Sequence, residues 1–270
     1  MDISVIGILE DEDILLDIAA LALSQLDHEQ CDVSTYLKQL DEIEERVCLE
    51  GRSAFLASEQ AIVLAEVLHH ELGFVGDAEG YDAPVNADFI RVLDRRKGLP
   101  ISLAILYVAM ARRAGWEAHV LNGSGHVLVE VGEKYPVVID PFAGGKQVHE
   151  DQPALLYAAH LAETDGERNI SLARMTNRQI LARLLFNQAI RAESEHDSQR
   201  AITVYDRLTR VSPETLDAWQ HLARQQIAKG DRAGARASLL AMSELAGNKQ
   251  LREQILAAFQ ALGQTRTTKH

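Results

Sequence analysis

Histidine and carboxylate side chains are the groups in this sequence with the widest range of chemistry, and several lie in the middle of the chain. The run His69-His70-Glu71 lacks the His-Glu-x-x-His spacing that places two metal ligands on one helical face. Four further candidate ligands lie far apart along the chain: His119, His126, Asp140 and His149. Only the fold could bring those four together around a metal ion. We therefore predict no metal site and no cofactor.

The candidate nucleophiles are two serines, Ser102 and Ser124, and two cysteines. Residues two apart in a strand share a face, so Ser124 would lie beside His126. The Gly-Ser-Gly context of Ser124 is also that of a plain turn, which is the interpretation we favour. Cys31 and Cys48 fall on or near predicted helices without metal-ligand spacing, where a structural thiol is the ordinary outcome. A chain with only two cysteines, far apart in sequence, is typical of a protein in the reducing cytoplasm.

The first 115 residues carry apolar side chains at helical spacing, which predicts five helices near 11–27, 34–49, 53–72, 87–96 and 100–114. Gly73 marks the end of the third helix, and the Gly-, Asp- and Pro-rich stretch after it predicts an ordered loop. The fifth helix is apolar almost all round, so it should be buried. Pro100 suits the first turn of that helix, where its missing N–H is not needed.

In the next part of the chain the apolar residues no longer recur at helical spacing. Three short β-rich runs at 117–121, 126–131 and 135–139 are separated by turn residues. They predict a small antiparallel sheet packed on the buried fifth helix. One or two helices near 153–163 and a looser segment follow.

From Thr176 onward the pattern is helical again, with two segments that align at an offset of 34 residues. Leu185 falls on Trp219, and Ala201 falls on Ala235. This period resembles the tetratricopeptide repeat. Each repeat needs neighbours to bury its face, and two units are few, so we expect the tail to dock on the first domain. The predicted domains are residues 1–165 and 166–270.

The charge of the chain limits its partners. It holds 27 Lys and Arg residues against 40 Asp and Glu, a net charge of -13. Nucleic-acid phosphates need a basic surface, so nucleic acid is not expected as a partner, and anionic membranes are disfavoured as well. The first 27 residues have no basic n-region, and acidic residues interrupt their apolar stretch, so neither a signal peptide nor a membrane span is predicted. The oligomeric state stays open.

The segment from Glu71 to Gly145 carries the most specific patterns. It contains the loop ELGFVGDAEGYDAPVN, the helix PISLAILYVAMARRAG, and the runs GSGHVLVEV and VVIDPFAGG. Together these resemble the bacterial transglutaminase-like family named after the SirB-type invasion regulator, which pairs this core with a tetratricopeptide-like tail. The resemblance covers nearly the whole chain.

The resemblance implies a catalytic frame without its nucleophile. The wider superfamily, which includes papain-like enzymes, uses a Cys–His–Asp triad in which a helix N-terminus lowers the thiol pKa. The histidine takes the proton, and the carboxylate fixes the imidazole tautomer. On this sequence the histidine falls on His126, the aspartate on Asp140 and the cysteine position on Pro100. Proline has no nucleophilic atom, so the covalent step is lost.

Ser102 is the nearest hydroxyl to the lost cysteine. It lies two positions along the helix, a rotation of roughly 200°, so it should point away from a base aimed at position 100. Without a nucleophile, His126 and Asp140 form either a hydrogen-bonded pair kept for packing or a polar anchor in a ligand cleft.

The loop residues give the remaining candidates. We predict binding roles for four of them: Tyr81, Asn86, Ser124 and Gly125. Asn86 precedes the helix predicted at 87–96 and is also a natural N-cap residue for it.

These observations lead to an α+β fold, mostly helical, with a degenerate transglutaminase-like core, a small antiparallel sheet and tetratricopeptide-like helical hairpins after it. The expected function is non-catalytic binding of a protein or peptide in regulation. The alternative is a residual hydrolase or peptidase that uses His126 and Asp140 with water or a displaced nucleophile.

Overall fold

The computed structural model describes residues 3–123, 127–148 and 173–264. Ten α-helices lie in these ranges: α1 Leu16–Gln25, α2 Val33–Glu50, α3 Ala57–Leu64, α4 Phe89–Arg95, α5 Pro100–Arg113, α6 Asn177–Ser194, α7 Ser198–Val211, α8 Leu216–Lys229, α9 Arg232–Leu245 and α10 Lys249–Gln264. Seven strands accompany them: β1 Val75–Gly76, β2 Lys97–Gly98, β3 Ala118–Asn122, β4 Val127–Val131, β5 Val137–Asp140, β6 Lys146–Val148 and β7 Ala173–Arg174.

The predicted helices of the first part are present, with three local differences. The first helix begins later than predicted, at Leu16 rather than near residue 11. The third predicted helix begins later, at Ala57, and continues beyond α3 as a π-helical segment, Ala65–Glu71. The prediction that Asn86 caps the fourth helix is wrong, because α4 begins later. Its N-cap is Asp88, whose carboxylate accepts a hydrogen bond from the backbone N–H of Arg91.

Helix α5 is the centre of the first part of the molecule. Every residue from Ile101 to Ala111 is buried, as its uniformly apolar sequence predicts. Strands β3 and β4 pack on it, as do helices α1 and α2. The helix therefore fixes the positions of everything that surrounds it.

The predicted sheet is antiparallel, and its strand order is β6-β5-β4-β3-β7. Val129 pairs with Val120 on one side and with Ile139 on the other, and all three side chains are fully buried. A separate parallel pair joins β1 to β2, with Val75 opposite Lys97. The short strands β6 and β7 were not predicted, because two or three largely exposed residues leave no apolar alternation to read.

The described chain forms two compact units. The first comprises residues 9–184, and the second joins residues 3–8 to residues 185–264. The domain boundary predicted at residue 165 and the helix predicted near 153–163 lie outside the described residues. Among the described helices, none is long and apolar enough to cross a lipid bilayer.

The second unit consists of successive helical hairpins, with α8 packed on α7 and on α9, and α10 packed on α9. Asp197 and Asp231 lie 34 residues apart. Each caps the helix that follows, by accepting a hydrogen bond from the backbone N–H three residues later. The small side chains of Ala201 and Ala235 are fully buried where these helices meet their neighbours.

Candidate functional site

Pro100 is the first residue of α5. Leu99, just before it, has an extended backbone with φ -73° and ψ 162°. The proline ring fixes a helical φ, and its missing N–H is one that the first turn of a helix leaves without a partner in any case. The side chain is half-buried and carries no group that can attack or hydrogen-bond.

Ser102, in the first turn of α5, has a structural role. It is fully buried, and its hydroxyl donates a hydrogen bond of 2.7 Å to the backbone carbonyl of Asn86. This geometry matches the structural role expected from its rotation around the helix. The bond ties the first turn of α5 to the preceding loop.

The loop before α4 is held by a buried network around Asn86. Its Nδ2 donates to the carbonyl of Gly80 at 2.6 Å, and its Oδ1 accepts from Arg95 at 2.7 Å. Arg95 also donates to Asp77 at 2.9 Å, and Asp77 accepts from the Gly80 N–H at 3.0 Å. Hydrogen bonds from Arg95 and Gly80 lower the pKa of Asp77. Both polar atoms of the wholly buried Asn86 side chain are thus engaged, by Gly80 and by Arg95 of α4.

Asp140 ends β5 and shapes the turn that follows. Its Oδ1 accepts from the backbone N–H groups of Phe142 and Ala143 at 2.9 and 3.2 Å. Its own carbonyl accepts from the Gly145 N–H at 2.8 Å. No hydrogen bond from the described residues reaches Oδ2. Oδ1 of Asp140 therefore holds the turn.

Two glycines bring this turn against the core. Gly144 and Gly145 both have φ +77°, a conformation that side chains other than glycine rarely adopt. A Cβ on Gly144 would lie 2.7 Å from the ring of His69, and one on Gly145 would lie 3.0 Å from Ala65 and 3.1 Å from Tyr107. The π-helical segment and α5 thus enclose the turn from two sides.

Tyr107 is a member of this neighbourhood that the sequence interpretation missed. Its hydroxyl is buried and has no hydrogen-bond partner among the described residues. Burial, together with the charge of Asp140, raises the pKa of Tyr107, so the hydroxyl keeps its proton. The signal was available: Tyr107 follows Pro100 by seven residues, which places both on one face of a helix.

His69 is a second residue that the sequence interpretation left without a role. Its Nδ1 lies 3.1 Å from the carbonyl of Phe74. A carbonyl only accepts, so Nδ1 is the donor in this hydrogen bond. The backbone thereby fixes the ring orientation beside Gly144.

Tyr81 lies at the surface next to this turn. Its ring is 41% exposed and meets the ring of Phe142 edge-on, with centroids 5.8 Å apart. Phe142 in turn lies so close to Gly76 that a Cβ there would come within 2.5 Å of the ring. The loop and the turn are therefore packed into one surface.

The remaining candidates divide into described and undescribed residues. Ser124, Gly125 and His126 lie outside the described residues, between Asn122 and Val127, which pair across β3 and β4. His149 lies outside them as well.

The two cysteines lie in the helical N-terminal part. Cys31 is half-buried before α2, and Cys48 is exposed on α2. Burial and the charge of Glu44 raise the pKa of Cys48, which is opposite to what an activated thiol requires. In the described ranges no group of three or more His, Cys, Asp or Glu side chains is arranged to hold a metal ion.

Known proteins resemble the chain over this same region. Residues 34–186 match the family model described as the transglutaminase-like superfamily. A UPF0162 protein of Xylella fastidiosa (strain 9a5c) is 28% identical over 236 residues, which cover 85% of this chain and 83% of that protein. F-box only protein 21 of Homo sapiens is 28% identical over 152 residues, which cover 46% of this chain and 24% of that protein.

Among solved structures, one of menin, described as revealing its binding site for Mixed Lineage Leukemia protein, aligns with a TM-score of 0.38 at 15% identity. The alignment covers 93% of this chain and 71% of menin. A TM-score at this level does not establish a common fold.

Proposed function

The chain belongs to the transglutaminase-like superfamily, and we propose that it is a member without acyl-transfer activity that binds a protein or peptide partner. The observation that carries this proposal is Pro100 at the start of α5, the position at which the resemblance places the catalytic cysteine. A thioester cannot form on a proline, so the covalent step of acyl transfer has no nucleophile at this position.

The neighbouring groups support the same interpretation. The hydroxyl of Ser102 is engaged with Asn86, and neither Cys31 nor Cys48 lies on α5 or in the Asp140 turn. By contrast, the frame of the site is maintained by Asp140, the two glycines and the buried Asn86 network. A site that keeps these polar residues but lacks a nucleophile is suited to recognition rather than turnover.

We propose that the ligand-facing part of this site combines Oδ2 of Asp140, which no described residue bonds, with His126 and with the exposed Tyr81. A carboxylate oxygen accepts N–H groups, and an aromatic ring provides an apolar contact. An extended peptide supplies both backbone N–H groups and side chains for such contacts. Ser124 and Gly125 belong to the same proposed surface.

The finer family assignment is also part of this proposal. The SirB-type label follows from the runs between Glu71 and Gly145, and a tetratricopeptide-like tail is supported by the equivalent caps Asp197 and Asp231 and by buried Ala201 and Ala235. Such a tail would offer a second binding surface for a partner helix or peptide. A regulatory role in the bacterial cytoplasm and the domain division near residue 165 belong to the same proposal.

The experiment is a partner capture with matched variants. The wild-type chain, His126→Ala, Asp140→Asn and the control Lys38→Gln are each used to recover proteins from cell extract, and the recovered partner is then purified and titrated. Asp140→Asn keeps an oxygen that can accept from Phe142 and Ala143, so the turn should survive. Lys38 is 79% exposed on α2.

We expect the purified partner to bind the wild type and Lys38→Gln equally, and to bind His126→Ala and Asp140→Asn about tenfold or more weakly. Equal binding of the purified partner by all four proteins would refute a recognition role for His126 and Asp140. Turnover of an ester or peptide substrate that is lost in His126→Ala would instead favour the residual hydrolase.

A further inference from the structure

A second cleft lies at the opposite end of α5 from Pro100. It has a volume of about 660 Å³ and is formed within the first unit by the end of α5, the start of β3, strand β7 and the residues before α1. Since α5 has 14 residues, the two ends of the helix lie about 20 Å apart. This cleft, which we name the Arg112 cleft, therefore does not share residues with the candidate catalytic frame.

The guanidinium of Arg112 lines this cleft and is bonded only to neutral groups among the described residues. Its Nε donates to the carbonyl of Ala118 at 3.0 Å, and one terminal nitrogen donates to Oδ1 of Asn177 at 2.7 Å. Burial lowers the pKa of Arg112, and the charge of Asp11 opposes that shift only in part. A partly desolvated cation of this kind gains strongly from an anion placed against it.

Asp11 does not serve as that anion. Its two carboxylate oxygens accept from the backbone N–H groups of Asn177 and Arg178, at 2.8 and 2.9 Å, and so cap α6. Its negative charge is therefore directed to the helix N-terminus rather than into a bidentate pair with Arg112.

The arginine side chains also act on His119, a neighbouring residue of the cleft. His119 lines the cleft beside Arg174, which donates to Glu130 at 2.7 Å. Burial lowers the pKa of His119, and the charges of Arg174 and Arg112 lower it further, against the opposing effect of Glu130 and Glu117. The imidazole is therefore neutral near pH 7, and the cleft holds two arginines around an uncharged donor.

The rim of the cleft carries the opposite charge. Glu12 and Glu117 are exposed there, and Oε2 of Glu117 lies 3.9 Å from the imidazole of His119. Trp116 provides an apolar wall, and its ring is fixed against Gly51, where a Cβ would come within 2.5 Å of it. A dianion would be repelled by the acidic rim, whereas a ligand with one carboxylate and one cationic group satisfies both charges.

We propose that the Arg112 cleft binds a small zwitterion of the amino-acid type, whose carboxylate pairs with Arg112 and whose ammonium group faces Glu12 and Glu117. The side chain of the ligand would lie on Trp116. The volume of the cleft is in the range that small-molecule sites occupy. The proposal does not rest on the proposed partner binding, because it concerns other residues.

The test uses the fluorescence of Trp116 in the full chain. The sequence has two tryptophans, so a Trp219→Phe background leaves Trp116 as the single reporter. Four probes are titrated: L-leucine, N-acetyl-L-leucine without the ammonium group, L-leucinamide without the carboxylate, and inorganic phosphate. We expect saturable change with L-leucine, affinities about tenfold or more weaker for the two modified leucines, and none for phosphate.

Two variants and one control assign the binding to named residues. Arg112→Gln should abolish the response to L-leucine. Glu12→Gln should weaken L-leucine binding and narrow its advantage over N-acetyl-L-leucine, because one of the two carboxylates that face the ammonium group is lost and the rim repels the N-acetyl anion less. Glu12 is exposed, so this second variant tests the proposal even if Arg112→Gln fails to fold. Arg91→Gln, an exposed arginine on α4, should leave all titrations unchanged.

The proposal is overturned if L-leucine produces no saturable change. Equal binding of phosphate would also overturn it and would indicate a general anion site, and so would equal binding of all three leucine probes. This proposal and the proposed partner binding can fail independently, because partner capture is measured with His126 and Asp140 variants.

Discussion

At the scale of single residues, the start of α5 is built from side chains with structural roles. Pro100 begins α5 and Ser102 ties that turn to Asn86, so both residues in the nucleophile region serve the helix. The resemblance places the family's cysteine position at Pro100, because that cysteine lies at the N-terminus of the buried helix. The partner of the Ser102 hydroxyl could not be predicted, since it lies on a loop whose path depends on the fold.

Ser102→Ala tests this structural role. Removing the hydroxyl takes away one buried hydrogen bond, and the Asn86 carbonyl keeps a second donor in the Leu99 N–H at 3.2 Å. We therefore expect a loss of about 1 kcal/mol in the free energy of unfolding, measured by urea denaturation. Ser53→Ala, at an exposed position, should change it by less than about 0.5 kcal/mol. An equally small effect at Ser102 would contradict the role described.

Asp77→Asn tests the loop network through its pH dependence. Hydrogen bonds from Arg95 and Gly80 lower the pKa of Asp77 in the folded state, so its ionisation stabilises the fold above the ordinary aspartate pKa, about 3.9. This stability is lost as the pH falls through the lowered value. The melting temperature of the wild type should exceed that of Asp77→Asn at neutral pH, and the gap should close in acid. A gap independent of pH would exclude the ionised pair as its cause.

At the scale of elements, the site depends on a turn that is enclosed by two helical segments. The helices and the three central strands were predictable, because their apolar periodicity matches their burial. The π-helical segment Ala65–Glu71 was not, since its sequence reads as a continuous helix. Nor was the contact of Gly144 with His69, which joins residues far apart in sequence.

Gly145→Ala tests the enclosure of the turn, with Gly115→Ala as the matched control. Both glycines have nearly the same positive φ, +77° and +78°, but a Cβ at Gly115 meets nothing within 4 Å. The control should cost about 1 kcal/mol through backbone strain alone. Gly145→Ala should cost about 1–3 kcal/mol more, because Ala65 and Tyr107 must move. Equal losses in thermal or urea unfolding would show that the turn is not tightly enclosed.

At the scale of the whole molecule, the chain forms two units, and the second includes residues from both ends. Ile3 and Ile6 are buried, and the segment that carries them contacts α7. The contact between residues 3–8 and α7 could not be predicted, because a six-residue segment is too short for its apolar pattern to indicate which helix it packs on. The helical nature of the tail was predictable, whereas the return of residues 3–8 to it was not.

Gly7→Ala tests this pairing. A Cβ at Gly7 would overlap the backbone carbonyl of Arg210, and α7 cannot retreat without disturbing its own packing. Hydrogen exchange measured by mass spectrometry should increase in residues 3–8 and in α7. Exchange in α5 and in strands β3 and β4 should stay near the wild-type level. Unchanged exchange in α7 would show that the N-terminal segment does not support the second unit.

The central claim is that this superfamily member has no covalent chemistry at the start of α5. The direct measurement incubates the wild type with a glutamine-containing peptide and with an activated ester, and follows ammonia or alcohol release together with intact mass. The His126→Ala variant serves as the matched control. We predict product at the level of the variant and no acyl adduct on the protein. Release above that level, or an adduct of the mass of the acyl group, would contradict the account.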